Sequence, residues 1–335
     1  MNLNHYNIGI VILSWNDPVN TFELVSSIVK SDYNNYDIII VDNNSSVDNF
    51  NNLLDQLNKN NYQYKLVLEN EISIKKENLY KNIYVIRSTE IADIKYAENL
   101  GVSRGYNKGI NFALKNNYDF VFKLDCDFII SENLISGLVE TFKQNSKAVA
   151  VSPKVYYHIK KKTKIIWWKG VNFTKNYFRF QRTGLGAGRK DEDKGQFKGI
   201  FNSEGICGCC VMLKSDTIRK TGLLDIDFFF GPEDIEHAFR LKKYGELLVN
   251  LNYHAYHKVS QSIFISGVKK RIYYETIGWL TLIRKVCNFR DRILGYAYFI
   301  MRGISHLLRY IYKNDKDAHS GFVLGLIDYF FRIKK

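Results

Sequence analysis

The chain has 335 residues, 46% of them hydrophobic, only three prolines and a formal net charge of +14. That length suits one large domain or two modest ones, and the hydrophobic share builds a real core and excludes a disordered chain. The five cysteines, Cys126, Cys207, Cys209, Cys210 and Cys287, are odd in number with three crowded together, which argues against a disulfide framework and for a reducing compartment.

In chain order, Ile8-Gly-Ile-Val-Ile-Leu13 is a short continuous apolar run, the pattern of a buried parallel strand. A helix is expected over 21–31, a second buried strand over 37–41 and a helix over 47–57. Strand, helix, strand, helix is the mark of an α/β chain with a parallel sheet. Residues 58–82 read as a polar insertion, with an extra strand at 64–68. Further strands are expected at 83–87, 120–124, 148–156, 206–213 and 247–251, and helices at 105–117, 133–144 and 234–244. Residues 160–196 are irregular and hold a basic run, Trp167-Trp168 and the Gly-rich stretch 184–188. From Gly267 the pattern turns helical. In 293–312, Ile293, Ala297, Ile300, Ile304, Leu308 and Ile311 share one helical face, with Arg302, His306, Arg309 and Lys313 opposite. Residues 263–335 carry 14 Lys/Arg against 5 Asp/Glu, so this extension is expected to meet an anionic partner. No secretory leader, 18-residue apolar span or internal repeat is read. The expected division is 1–262 as a catalytic domain and 263–335 as a basic amphipathic extension.

Four places carry chemistry. Asp125-Cys-Asp127 follows a buried strand, at the carboxyl edge where open α/β sheets bind ligands. Hard oxygen ligands there suit Mg²⁺ or Mn²⁺; the alternative is a solvated loop. Asp42 ends the second strand in the same way and could equally cap the next helix. Asn99 to Gly109 is a Gly-rich segment opening a helix, whose N–H groups attract phosphate; the alternative is a plain turn. Glu233-Asp234 opens a helix, where a carboxylate serves either the dipole or general-base catalysis. His257 could join a metal site. The Cys207, Cys209, Cys210 group lacks a second half at zinc spacing and reads as packing.

Taken in order, these segments resemble the family-2 inverting glycosyltransferases of GT-A-type fold, in particular a rhamnosyltransferase-like branch of bacterial surface-polysaccharide synthesis. The resemblance runs through Val11-Ile-Leu-Ser-Trp-Asn16, Ile39-Ile-Val-Asp-Asn-Asn-Ser45, Asn99 to Gly109, Leu124-Asp-Cys-Asp127, Gly208-Cys-Cys-Val-Met-Leu213, Thr221-Gly-Leu-Leu-Asp225, Phe229-Phe-Gly-Pro-Glu-Asp234, Arg240-Leu-Lys-Lys-Tyr-Gly245 and His257. It implies a mostly parallel central sheet flanked by helices, followed by the helical extension. It implies a nucleoside-diphosphate sugar bound by Ser14, Asn16, Asp42, Asn43, Asn99, Arg104, Asn107 and Asp125. Asp127, Asp125 and His257 would hold Mn²⁺ or Mg²⁺. Asp234 would be the catalytic base, with Glu233 and Trp168 on a glycan or lipid-linked acceptor. The implied setting is cytoplasmic, peripheral on the inner face of the cell membrane, with an anionic membrane surface and self-association into a homo-oligomer as further partners and no nucleic acid. Three departures stand out: the long 58–82 insertion, Trp15 where Tyr is common, and Arg104 where a small residue is common. The competing reading is a non-catalytic basic relative that binds membrane surfaces or glycans.

Overall fold

The computed structural model describes residues 6–67, 81–159, 161–173, 182–183, 191–259, 267–312 and 315–332. Most of the 58–82 insertion and the Gly-rich 184–188 stretch lie outside them.

The first half alternates as its pattern requires: β1 (Ile8–Ser14), α1 (Pro18–Val29), β2 (Tyr36–Asn43), α2 (Val47–Lys59), β3 (Tyr64–Val67), β4 (Ile83–Ser88), α3 (Gly101–Lys115) and β5 (Phe120–Asp125). Then come β6 (Phe128–Ile130), α4 (Leu134–Gln144), β7 (Ala148–Ile159), β8 (Lys161–Trp168), β9 (Asn172–Phe173), β10 (Arg182–Thr183), β11 (Ile200–Asn202), β12 (Cys210–Lys214), α5 (Ser215–Thr221), α6 (Glu233–Leu241) and β13 (Glu246–His257). The extension is α7 (Val268–Val286), α8 (Phe289–Tyr312) and α9 (Lys316–Ile327), ending in a π-helical turn, Asp328–Arg332.

Eleven described strands form one sheet, ordered β11-β13-β7-β12-β5-β1-β2-β4-β3, with β6 against β13 and β8 against β7. Strands β5, β1, β2, β4 and β3 are mutually parallel. Strand β12 runs antiparallel between β5 and β7. Helices cover both faces, so the central parallel strands are largely apolar: Ile8, Ile10, Val11 and Ile12 of β1 are fully buried. The parallel strands all end on one edge, which carries Ser14, Asn43, Ser88 and Asp125.

Several boundaries differ from the sequence reading, and β8 is a regular strand within the stretch read as irregular; three differences bear on the site. Helix α3 starts at Gly101, a turn earlier than expected, so the Gly-rich segment is helix rather than loop. Strand β12 starts at Cys210 rather than 206. Strand β13 does not stop at Leu251 but runs to His257, held by β6 and β7 on its two sides. Paired neighbours override the weak strand preference of Asn and His there.

Helix α7 is buried against the sheet domain. Tyr273, Tyr274, Ile277 and Leu280 pack with Ile94, Tyr96, Phe229 and Phe230. Leu282 packs with Phe228 and Ile235. Gly278 permits this approach, because a Cβ there would collide with the Gly231 carbonyl and stand 3.1 Å from Pro232. Lys285 pins the far end through Asp225 (2.6 Å) and Asp227 (2.8 Å). Helix α8 is different. Ile293, Ile300, Met301 and Ile304 are exposed, while Gly295 faces Ile283 and Gly303 faces Phe322. The described part of the expected apolar stripe, Ile293, Ala297, Ile300 and Ile304, therefore points away from the protein. The side chains of Arg302, His306 and Arg309, and all of Lys313, lie outside the described residues.

Candidate active site

The site forms where β5 gives way to β6. Asp125 is the last residue of β5, and its N–H donates to the Cys209 carbonyl (3.0 Å). Tyr106, fully buried on α3, donates its hydroxyl to Asp125. Burial pushes the Asp125 carboxyl above its ordinary value, against the pull of the Lys123 ammonium, and Asp127 adds to the rise. The next turn carries Asp127, whose Oδ2 stands 3.2 Å from Nε2 of His257 at the end of β13. Neither His257 ring nitrogen makes a hydrogen bond, although the residue is buried. Its ring stacks on Phe128 (4.5 Å) and meets the edge of Trp167 (4.4 Å). The pairing of β6 with β13, His257 opposite Phe128, brings these distant residues together.

A buried histidine whose nitrogens make no hydrogen bond, with Nε2 3.2 Å from a carboxylate, fits a divalent cation. Asp127, His257 and Asp125 supply a mixed oxygen and nitrogen set that suits Mn²⁺ or Mg²⁺, with the remaining positions left to water and phosphate. Among the described residues no three such side chains stand close enough to hold a metal unaided.

Lys123 lies below this edge, 3% exposed. It donates to the Gly208 carbonyl and its Nζ sits 4.0 Å from the Tyr106 ring centre. The opposite face of Gly208 meets Asp234, since a Cβ at that glycine would stand 2.9 Å from Asp234 Oδ2. Asp234 accepts from the Ile235 N–H (2.8 Å) at the start of α6. Glu233 beside it is buried, and its Oε2 has no hydrogen-bond partner. Burial, then the Asp234 charge, push the Glu233 carboxyl up to about 7, against Lys123. His237, one turn on, is held neutral: burial, with Arg240 and Lys123, lowers it to about 3.

The other expected donor residues hold the edge together. Ser14 shares a hydrogen bond with Thr21 (2.8 Å). Asn16 accepts from the Ser46 N–H (2.8 Å) and the Asn49 side chain (3.1 Å), tying the loops after β1 and β2. Asp42 is buried, accepts from Ser45 N–H (3.4 Å) and faces Arg87 at 3.8 Å; burial raises its carboxyl. Asn43 bonds Leu100 N–H and the Gly101 carbonyl (both 3.2 Å). Asn99 accepts from Gly101 N–H (2.8 Å), and Val102 N–H goes to the Phe229 carbonyl (2.7 Å). These first amides of α3 are thus taken by protein acceptors, contrary to the expectation that they hold phosphate. Gly101, at φ +79°, lies where a Cβ would stand 2.6 Å from Phe229. Asn107 exchanges two hydrogen bonds with the Leu224 backbone (2.7 and 2.9 Å). Arg104 is half-buried on α3 and does not line the cavity. Trp168 is 5% exposed and packs in the core; Trp167 is the tryptophan that turns to the site.

A cavity of about 160 Å³ opens on this edge. Asp125, Asp127, Phe229, Phe230, Tyr274 and Arg271 are among the residues that line it. Trp15 and Asp17 complete its mouth. Sequence reasoning missed Lys123, Tyr106, Arg271 and Tyr274. A lysine in the apolar run Phe120-Val-Phe-Lys-Leu124 was a readable signal for the first. Nothing local marks Arg271, which reaches the site only because α7 folds back.

The family model described as glycosyl transferase family 2 matches residues 75–220. The match takes in Asp125 and Asp127, starts after Asp42 and ends before Glu233, Asp234 and His257. A search of curated proteins finds no match. Among solved structures, GalNAc-T7 crystallised with UDP, GalNAc and Mn²⁺ aligns at 17% identity and TM-score 0.55, over 75% of this chain and 43% of that one. This chain thus spans less than half of that structure. Residues 1–349 of TarS from S. aureus align at 11% identity and TM-score 0.51, over 89% of this chain and 72% of that one. The fold is of the GT-A type, a central sheet flanked by helices with helices at the C-terminal end.

Proposed function

We propose that the protein is a divalent-cation-dependent inverting glycosyltransferase that moves a sugar from a nucleoside diphosphate to a glycan or lipid-linked hydroxyl in cell-surface polysaccharide synthesis. The observation that carries this reading is the pairing of Asp127 with His257 (3.2 Å) at the sheet edge, where Asp127 and Asp125 line one cavity. The family match over 75–220 and the UDP, GalNAc and Mn²⁺ named for GalNAc-T7 support it.

Asp234 opens α6 and is joined to Asp125 through Gly208 and Lys123. It is the base that takes the proton from the acceptor hydroxyl as that oxygen attacks the anomeric carbon. One displacement inverts the centre and needs no covalent enzyme intermediate. Glu233, poised near neutrality, accepts or donates a hydrogen bond to the acceptor. Trp167, rather than the enclosed Trp168, offers the acceptor an aromatic surface. Asp127, Asp125 and His257 hold the cation, which offsets charge on the leaving diphosphate. Asp42 remains the base-recognition residue of the donor site.

The exposed stripe of α8 favours a lipid-linked acceptor. An outward apolar face on a basic extension suits the surface of an anionic bilayer. No described helix is long and apolar enough to cross a membrane. A rhamnosyl donor is the first to try, on the motif resemblance. The test is a panel of nucleotide sugars with Mn²⁺ or Mg²⁺, read by thermal shift and donor hydrolysis. Asp234→Asn is expected to keep donor binding and lose transfer, and Asp127→Ala to lose cation-dependent binding. If no donor binds the wild type with either cation, the reading is wrong.

A further inference from the structure

The cavity beside Asp125 and Asp127 has a wall that the nucleotide-binding motifs do not supply. Three carboxylates line it, Asp17, Asp125 and Asp127, and Arg271 is the one cation among its described lining residues. A diphosphate brought there adds further negative charge. One divalent ion and the buried Lys123 ammonium against three carboxylates and a diphosphate still leave the site negative, so a further fixed cation on its wall stabilises a bound diphosphate.

Arg271 is built into place. It sits in the first turn of α7, whose next turns are locked to the sheet domain. Tyr274 stacks on Phe229 at 4.2 Å and donates its hydroxyl to the Lys95 carbonyl (3.0 Å). Gly278 closes on the Gly231 carbonyl. Glu275, one helical turn on, meets Nε of Arg271 at 3.2 Å. That ion pair steadies the guanidinium by charge, without a hydrogen bond at Nε, and leaves the two Nη groups for a ligand. The Arg271 side chain keeps 42% of its surface open. A planar guanidinium so held can take two phosphate oxygens at once.

We propose that Arg271 binds the diphosphate of the nucleotide-sugar donor, which makes α7 a wall of the donor site rather than part of a detachable tail. This rests on the donor reading above. The extension then has two tasks divided between neighbouring helices: α7 completes the donor site, and α8 faces outward.

The experiment measures affinities of the full chain, with Mn²⁺, for UDP, GDP, CDP and dTDP and for the matching monophosphates, by calorimetry. Wild type is compared with Arg271→Met and Arg271→Lys, with circular dichroism and melting temperature as folding controls. The expected result is a loss of about tenfold or more in diphosphate affinity for Arg271→Met. Monophosphate affinity should change less than about threefold, and Arg271→Lys should recover part of the loss. Equal losses for mono- and diphosphate, or diphosphate affinity within about twofold of wild type, overturn the proposal while leaving the donor reading standing. Wild type that binds no nucleoside diphosphate overturns the donor reading itself, and this proposal with it.

Discussion

Helices α7 and α8 are neighbours in sequence, both amphipathic and both basic, yet they meet their surroundings in opposite ways. Helix α7 buries Tyr273, Tyr274, Ile277, Leu280 and Leu282 and reaches the candidate site with Arg271. Helix α8 touches the protein through its small and aromatic residues, Gly295, Gly303 and Phe299, and turns Ile293, Ile300 and Ile304 to solvent. An apolar stripe shows that a helix has something to cover. It does not show whether that is its own domain.

The contrast can be broken most sharply at the two close-approach glycines. Gly278→Ala drives a Cβ into the Gly231 carbonyl, which is backbone and cannot move aside. We expect it to destabilise the protein by about 2–4 kcal/mol in chemical denaturation and to lower transfer activity with it, since Gly231 precedes Glu233. A loss under ~1 kcal/mol would mean that α7 is loosely docked.

Next in size is the acid-base effect beneath α7. Glu233 holds its proton up to about pH 7 in the folded chain, well above an ordinary glutamate. Between about pH 4.5 and 7 the folded state therefore binds a proton that the unfolded state has lost, and stability falls as pH rises. His237 works the other way: an unfolded histidine binds a proton below about 6.5 that the buried ring refuses. Comparing Glu233→Gln with wild type isolates the first effect. The variant should gain on wild type from pH 5 to pH 8 by on the order of 2–3 kcal/mol. A pH-independent difference would show that Glu233 is ionised throughout.

Smaller effects are expected from α8. At Gly295 an added Cβ meets only the side chain of Ile283, at 3.1 Å. Gly295→Ala should cost under about 1 kcal/mol, because a side chain can shift and alanine favours the helix. Smallest is Ile300→Glu with Ile304→Glu, both exposed. Stability and hydrolysis of a soluble donor should stay within about 0.5 kcal/mol of wild type, while flotation with vesicles rich in anionic lipid should drop. Unchanged flotation would remove the membrane role from α8.

Much of the sheet domain was legible because its signals are local. Ile8 to Leu13 and Phe120 to Leu124 are apolar runs of strand length, and each ends in the polar residue that marks the sheet edge. The resemblance placed Asp125, Asp127, Asp234 and His257 in one site before any distance was known, and the structure brings Asp127 and His257 to 3.2 Å. What stayed hidden had non-local causes. The extra length of β13 depends on β6 pairing with it. The burial of Trp168 and the turn of Trp167 toward His257 depend on the register of β8 against β7. The amides of Gly101 and Val102 looked free for phosphate until Asn99 and the carbonyl of Phe229 were found on them.

The sequence by itself determined the order of strands and helices as far as β5, the carboxylates at the ends of β2 and β5 and the basic character of the extension, since each depends on neighbours along the chain. Only the tertiary structure decided that Lys123 lies buried beneath the site, that burial pushes the Glu233 carboxyl up to about 7 and that Arg271 lines the same cavity as the carboxylates. Burial, desolvation and charge pairing are properties of what surrounds a group in space, and a residue 144 positions beyond Asp127 becomes its neighbour only when the chain folds back.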